Sequence, residues 1–257
     1  MRVPPRLAVL ALVACTLPLA GCRALAQAAA NQPCALDEAR PYDVVEVDPA
    51  RHAVALLYAD DAGRPLRTLG AALAFLEARG DSVVALTNAG IFEPDFRPTG
   101  LLVADGETVG ALNSEPGEGN FFLMPNGVFW VDAGGRMHVA ETDAFARAAF
   151  LQGEVREATQ SGPLLLDAGA VHPAFREGSA NCRHRSGIGV RPDGSAVLAI
   201  TNGAVNLHGF ASFFLASGAP DALYLDGAIS QLYAPALGRT ALPDTPLAGF
   251  VAVLARR

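Results

Sequence analysis

The chain is 257 residues long, 51% hydrophobic and 18% charged, with 26 glycines and 18 prolines, a balance that excludes disordered, collagen-like and coiled-coil proteins. All 19 basic residues are arginine. Against 26 acids they leave a formal charge of -7, with no basic run longer than Arg256-Arg257, which argues against a nucleic-acid partner. Without lysine, P-loop phosphate binding and Schiff-base or Ser-x-x-Lys chemistry are excluded as well.

Arg2 and Arg6 precede an uncharged stretch from Leu7 to Ala20, which Leu19-Ala20-Gly21-Cys22 closes. Residues 1–21 read as a signal peptide, too short to span a bilayer. The small residues before Cys22 resemble the lipobox of bacterial lipoproteins, which implies cleavage before Cys22 and lipidation of its thiol. The plainer alternative is an ordinary signal peptide cut after a nearby alanine. Both put the mature chain outside the cytoplasm; the lipoprotein form sits on the periplasmic side of the envelope and touches the membrane through its anchor only. Residues 22–41 read as a tether and 42–257 as one folded domain. Of the cysteines left, Cys34 and Cys182 form an even pair, so an oxidising compartment predicts a disulfide; two separate buried thiols are the alternative. No Cys-x-x-Cys or His-x-x-x-His spacing marks a metal site.

From Tyr42 onward, short apolar runs alternate with turn signals. Val44 to Val47 and Ala53 to Tyr58 read as strands around Asp48-Pro49-Ala50-Arg51. The period then changes, and Leu66, Leu69, Leu73 and Leu76 share a helical face over Leu66 to Arg79, with Gly80 as the stop. Val83 to Leu86 is a buried strand. Val128 to Val131 and Met137 to Ala140 flank the hairpin signal Asp132-Ala133-Gly134-Gly135, and Thr142-Asp143 caps a short helix through Leu151. Gly187 to Val190 and Ala196 to Ile200 form a second hairpin around Pro192-Asp193-Gly194. Leu207, Phe210, Ala211 and Phe214 follow helical spacing between Asn206 as cap and Gly218 as stop, and Leu223 to Leu225 and Phe250 to Leu254 complete the strands. The pattern predicts a single α+β domain with mixed or antiparallel β-sheets, a few packed helices and a site in a surface cavity.

Polar residues and glycines gather where side chains and bare backbone can converge on a ligand: at Thr87-Asn88-Ala89-Gly90, Thr159-Gln160-Ser161-Gly162-Pro163, Arg183-His184-Arg185-Ser186-Gly187 and Asp226-Gly227-Ala228-Ile229-Ser230. In order along the chain stand Asn88-Ala-Gly-Ile-Phe, Pro98-Thr-Gly-Leu-Leu-Val, Gly119-Asn-Phe-Phe-Leu-Met-Pro-Asn-Gly-Val-Phe, Ala158-Thr-Gln-Ser-Gly-Pro, Arg185-Ser-Gly-Ile-Gly-Val and Ala222-Leu-Tyr-Leu-Asp-Gly-Ala-Ile-Ser. With these blocks the chain resembles the phosphodiester glycosidase family, closest to its bacterial secreted branch, over about Tyr42 to Val253. The resemblance implies hydrolysis of sugar-1-phosphodiesters, here in an envelope or exopolysaccharide glycan. It departs from the family where many members carry a run of three glycines after the aspartate; this chain has Gly227-Ala228-Ile229 before Ser230.

A phosphate monoester leaves as a stable anion, its second pKa being about 6, so such a site needs less proton donation than an ordinary glycosidase with paired carboxylates. It needs a carboxylate at the anomeric carbon and a cradle for phosphate. Asp226, ending an apolar strand, is the candidate nucleophile, base or oxocarbenium stabiliser; an aspartate capping its own turn is the bland alternative. Arg185 is the candidate phosphate clamp, because a guanidinium fork matches two phosphate oxygens; a surface ion pair is the alternative. Asn88, Gly90, Gln160, Ser161, Gly162, Gly227 and Ser230 are expected to bind substrate, with His208 behind them. Glu93 and Asp95 read as solvated loop charges; Phe121, Phe122, Phe129 and Trp130 suit a sugar platform less well than a core. No cofactor is expected, although a divalent cation at Asp226 stays open. The expected partner is a phosphorylated glycan or sugar-1-phosphodiester. The rivals are a lipoprotein that binds anionic glycan without cleaving it, and a glycosidase or esterase for an uncharged substrate.

Overall fold

The computed structural model describes residues 34–37, 39–152 and 155–256; the expected signal peptide, the lipidation site Cys22 and the tether up to residue 33 lie outside the described residues. All strand pairings are antiparallel and fall into three sheets. The six-stranded sheet runs, in spatial order, Tyr42–Val47, Ala196–Thr201, Ser186–Val190, Asp221–Asp226, Leu164–Asp167 and Ala170–Val171. The four-stranded sheet runs Leu232–Tyr233, Val83–Asn88, Phe250–Ala255, His52–Leu57, and the five-stranded sheet Glu107–Gly110, Leu102–Ala104, Glu157–Ser161, Gly127–Val131, Met137–Glu141. With three α-helices among the described residues, the architecture is α+β.

Strand alternation divides the central strands between two cores. Leu198, Ile200, Leu223 and Leu225 point to one cluster, where they meet Phe129, Val131 and Val139 of the five-stranded sheet. Val197, Ala199, Ala222 and Tyr224 point the other way, onto Phe210, Ala211 and Phe214 of the helix Leu207–Ala216. Gly187 and Gly189 make room for those rings, since a Cβ would lie 3.0 Å from Phe210 Cε1 at one and 2.6 Å from Phe214 Cδ1 at the other. Asn206 caps this helix by accepting from Gly209 N at 2.8 Å, and Gly218 ends it at φ +77. A third core packs the helix Leu69–Ala78 on the four-stranded sheet through Leu69, Leu73 and Leu76.

Some expected boundaries move. The first helix starts after Thr68, whose hydroxyl accepts from Ala71 N at 3.1 Å, so Leu66 precedes it as a core residue of the approach loop. The helix Thr142–Gln152 is not capped by Thr142, whose hydroxyl donates to Asn126 Oδ1 at 2.6 Å; Glu141 Oε2 accepts from Ala144 N at 3.0 Å instead. The compact unit begins at Cys34, eight residues before Tyr42. Asp37 N donates to Asn202 O at 2.8 Å, Ala204 N to Ala35 O at 2.9 Å, and Cys34 is disulfide-bonded to Cys182.

Candidate active site

Tyr224 and Asp226 leave the end of the Asp221–Asp226 strand on one face, two residues apart. A β-bulge opposite, between Ser186 and Gly187, shifts the register so that Asp226 faces Ser186 and Tyr224 faces Gly187. Asp226 then opens a tight turn. Its Oδ1 accepts from Ala228 N at 2.8 Å and Ile229 N at 2.6 Å, while the Ser230 hydroxyl donates to the Asp226 carbonyl at 3.0 Å. Oδ2 takes no part in these bonds. Burial pushes the carboxyl above its usual range, against the pull of the turn's N–H groups. Thus Asp226 caps its turn with one oxygen and keeps the other.

That residue lies in a cavity of about 500 Å³. Its apolar lining is Ile91, Phe92, Ala228 and Ile229; its polar lining is Asn120, Asn181, Arg183, Tyr224 and Asp226, with the backbone of Gly227. Arg185 stands directly behind. Its side chain is 1% exposed, and Nε donates to Val205 O at 2.7 Å, Nη2 to Asn181 O at 2.8 Å and Nη1 to the Tyr224 hydroxyl at 3.3 Å. Among the described residues no carboxylate pairs with it. Desolvation lowers its pKa, but a guanidinium keeps its charge under such pressure. Burial pushes the Tyr224 hydroxyl up to about 12, so it is a neutral donor.

The other expected substrate-binding residues are not in this cavity. Asn88 is buried, with Nδ2 donating to Ser186 Oγ at 3.0 Å and Oδ1 accepting from Gln231 N at 3.1 Å; it knots two sheets together under the Asp226 turn. Gln160 is buried with its amide fully used: Oε1 accepts from Leu101 N at 3.0 Å and Asn113 N at 2.9 Å, and Nε2 donates to Asn113 O at 2.7 Å and Thr142 Oγ1 at 3.1 Å. Ser161 donates to Leu225 O at 3.3 Å, bracing the Asp226 strand from behind. Gly90 and Gly162 are points of backbone contact, where a Cβ would overlap Gln160 O and Phe121 O respectively. These five residues tie neighbouring segments together and do not line the cavity. Ser230 opens onto a separate cavity of about 410 Å³ with His184 and Arg239. His208 lines a neighbouring pocket of about 290 Å³ that shares Asn181 with the Asp226 cavity. Phe121, Phe129 and Trp130 are core, and Asp95 pairs with Arg97 at the surface.

Sequence reasoning missed Tyr224, Asn120, Asn181 and Arg183. Three of them lie inside the quoted motif blocks or beside Arg185, and the alternation that put Asp226 on its face also carried Tyr224 there. Among the described residues no group of three or more His, Cys, Asp or Glu side chains is placed to hold a metal ion.

Fold and site define an α+β domain whose cavity carries a carboxylate in front of a buried arginine. Residues 81–246 match the family model described as phosphodiester glycosidase, and the chain belongs to that family. It is 35% identical over 208 residues to the uncharacterized protein YigE of Escherichia coli, covering 80% of each chain. The fold is similar to the zebrafish N-acetylglucosamine-1-phosphodiester alpha-N-acetylglucosaminidase catalytic domain, auto-inhibited by its pro-peptide, at TM-score 0.55 and 15% identity over 88% of this chain and 87% of that one. A protein of Burkholderia pseudomallei aligns at TM-score 0.54 and 14% identity over 83% of this chain and 73% of its own. Both likenesses are of fold.

Proposed function

We propose that the protein is an extracytoplasmic hydrolase that cleaves the sugar from a sugar-1-phosphodiester in an envelope or exopolysaccharide glycan. The observation that carries this is a buried Arg185 without an acidic partner among the described residues, set behind a cavity into which Asp226 presents a carboxylate. An uncompensated buried cation is costly, and a bound phosphodiester supplies the missing negative charge. Asp226, the only carboxylate lining that cavity among the described residues, acts at the anomeric carbon through Oδ2, as nucleophile, as base for water or by stabilising the cationic sugar. The departing phosphate needs charge stabilisation more than a proton. Arg183 at the rim and the amides of Asn120 and Asn181 surround the place where it would sit. The N-terminal signal pattern supports the extracytoplasmic location and the lipid anchor. The sugar named for the zebrafish enzyme is not carried over, because Ala228 and Ile229 fill part of the lining where many family members have glycine.

The same Ala228-Ile229 lining favours one rival, a lipoprotein that holds anionic glycan without turnover. The test is release of free sugar and phosphate monoester from a panel of sugar-1-phosphodiesters, with Asp226→Asn beside the wild type. Turnover lost in the folded variant by about 1000-fold or more supports the assignment. Binding without turnover in the wild type, preserved in Asp226→Asn, supports the rival.

A further inference from the structure

We propose that the Tyr224 hydroxyl donates a hydrogen bond to the departing phosphate oxygen, and that Arg185 acts on the substrate through this hydroxyl. The inference rests on the phosphodiester assignment above and names the groups that serve it. A phenol oxygen has one hydrogen to give and lone pairs to accept. At Tyr224 both hydrogen bonds are accepted ones, from Arg185 Nη1 at 3.3 Å and Asn120 Nδ2 at 3.4 Å. Its own hydrogen therefore has no acceptor among the described residues, and the side chain lines the Asp226 cavity. Arg185 does not line it. Two edges of its guanidinium are fixed on the Val205 and Asn181 carbonyls, and the remaining nitrogen is turned toward Tyr224 and the Gly227 backbone.

A cation that donates to a hydroxyl oxygen polarises it and strengthens the bond the hydroxyl gives in turn. Gly227 is what permits the approach, because a Cβ there would overlap the hydroxyl. The bond between the anomeric carbon and the phosphate oxygen breaks with its electron pair on oxygen, so a diester monoanion becomes a monoester dianion. Water supplies the new bond to carbon and gives up its proton to Asp226 or to solvent. The tyrosine hydroxyl, pushed up to about 12, keeps its proton against a phosphate whose second pKa is about 6, and it contributes a hydrogen bond to the growing charge.

The test uses the full chain, two single variants and their combination. Tyr224→Phe keeps the ring packed against the Arg185 guanidinium, 5.5 Å from the ring centroid, and removes only the oxygen. It is expected to lower kcat on a sugar-1-phosphodiester about 100-fold, the scale of one lost oxyanion donor, with KM moved less than about threefold. It is also expected to weaken binding of methyl phosphate about tenfold. Gly227→Ala keeps the phenol, but its Cβ overlaps the hydroxyl and forces the side chain off Arg185, so it should reproduce both losses, and adding it to Tyr224→Phe, where the displaced oxygen is already gone, should cost less than the two single losses combined. A Tyr224→Phe variant within threefold of wild type in kcat and in methyl phosphate affinity overturns the proposal, as do additive losses in the double variant. Absence of wild-type turnover on every sugar-1-phosphodiester overturns the phosphodiester assignment instead. Methyl phosphate binding, unaffected by that outcome, still decides whether the Tyr224 hydroxyl meets phosphate.

Discussion

Breaking the Cys34–Cys182 bond by Cys34→Ala with Cys182→Ala tests how the start of the domain is held. The two cysteines are 148 positions apart, and the chain-entropy model gives a loop of that length about 5 kcal/mol at 25 °C. The structure lowers that expectation. The segment beside Cys34 is also tied by backbone bonds between Asp37 and Asn202 and between Ala204 and Ala35, and Leu36 bridges Gly203, so part of the closure persists without sulfur. On the other side, Cys182 follows Asn181, whose carbonyl fixes one edge of Arg185. A loss of about 2–4 kcal/mol is therefore expected in urea unfolding, with a larger m-value as the unfolded chain expands. A loss below about 1 kcal/mol with m unchanged would refute the reasoning and assign the anchoring to the backbone bonds alone.

Two further predictions concern the scaffold. Glu157 accepts from Leu56 N at 2.6 Å across the gap between two sheets, and burial raises its pKa from 4.5 to about 7. A carboxyl with a raised folded pKa loses stability as pH rises through the window from 4.5 to about 7, so Glu157→Gln should gain on the wild type there, by up to about 3 kcal/mol above pH 7. Melting curves across pH 4–8 that run parallel for the two proteins would disprove it. Gln160→Ala strips four hydrogen bonds, two from buried partners and two from half-buried Asn113, and should cost about 3 kcal/mol or more in urea unfolding. Full stability would mean that water replaces the amide.

Where periodicity and turn chemistry agree, as in the hairpin around Pro192-Asp193-Gly194 and the Asn206-capped helix, the sequence is enough to place the element. The Glu157–Ser161 strand escapes that logic. Four of its five residues are polar, yet Thr159, Gln160 and Ser161 are buried because each side chain bonds to a neighbouring segment, an arrangement that hydropathy patterning cannot express. The same blindness affects the site. Asp226 stands out as a carboxylate ending an apolar strand, whereas Tyr224 in that strand looks like core and is both core and cavity wall. Arg185 was legible as an arginine in a polar motif, but only the three-dimensional arrangement separates it from Arg183, which lines the cavity while Arg185 stays behind it.

Gly90 and Gly162 bring main chain against main chain, Gly90 one residue before Ile91 in the lining of the Asp226 cavity. A contour drawn by peptide groups is insensitive to the drift of surrounding side chains, and relatives can diverge widely in composition while keeping the same mould. Adaptation to a different ligand is then cheapest where side chains project from a short exposed turn. In this chain Ala228 is such a position, exposed in the turn at the cavity, whereas Ile229 beside it is half-buried against the third core and could be exchanged only together with its packing.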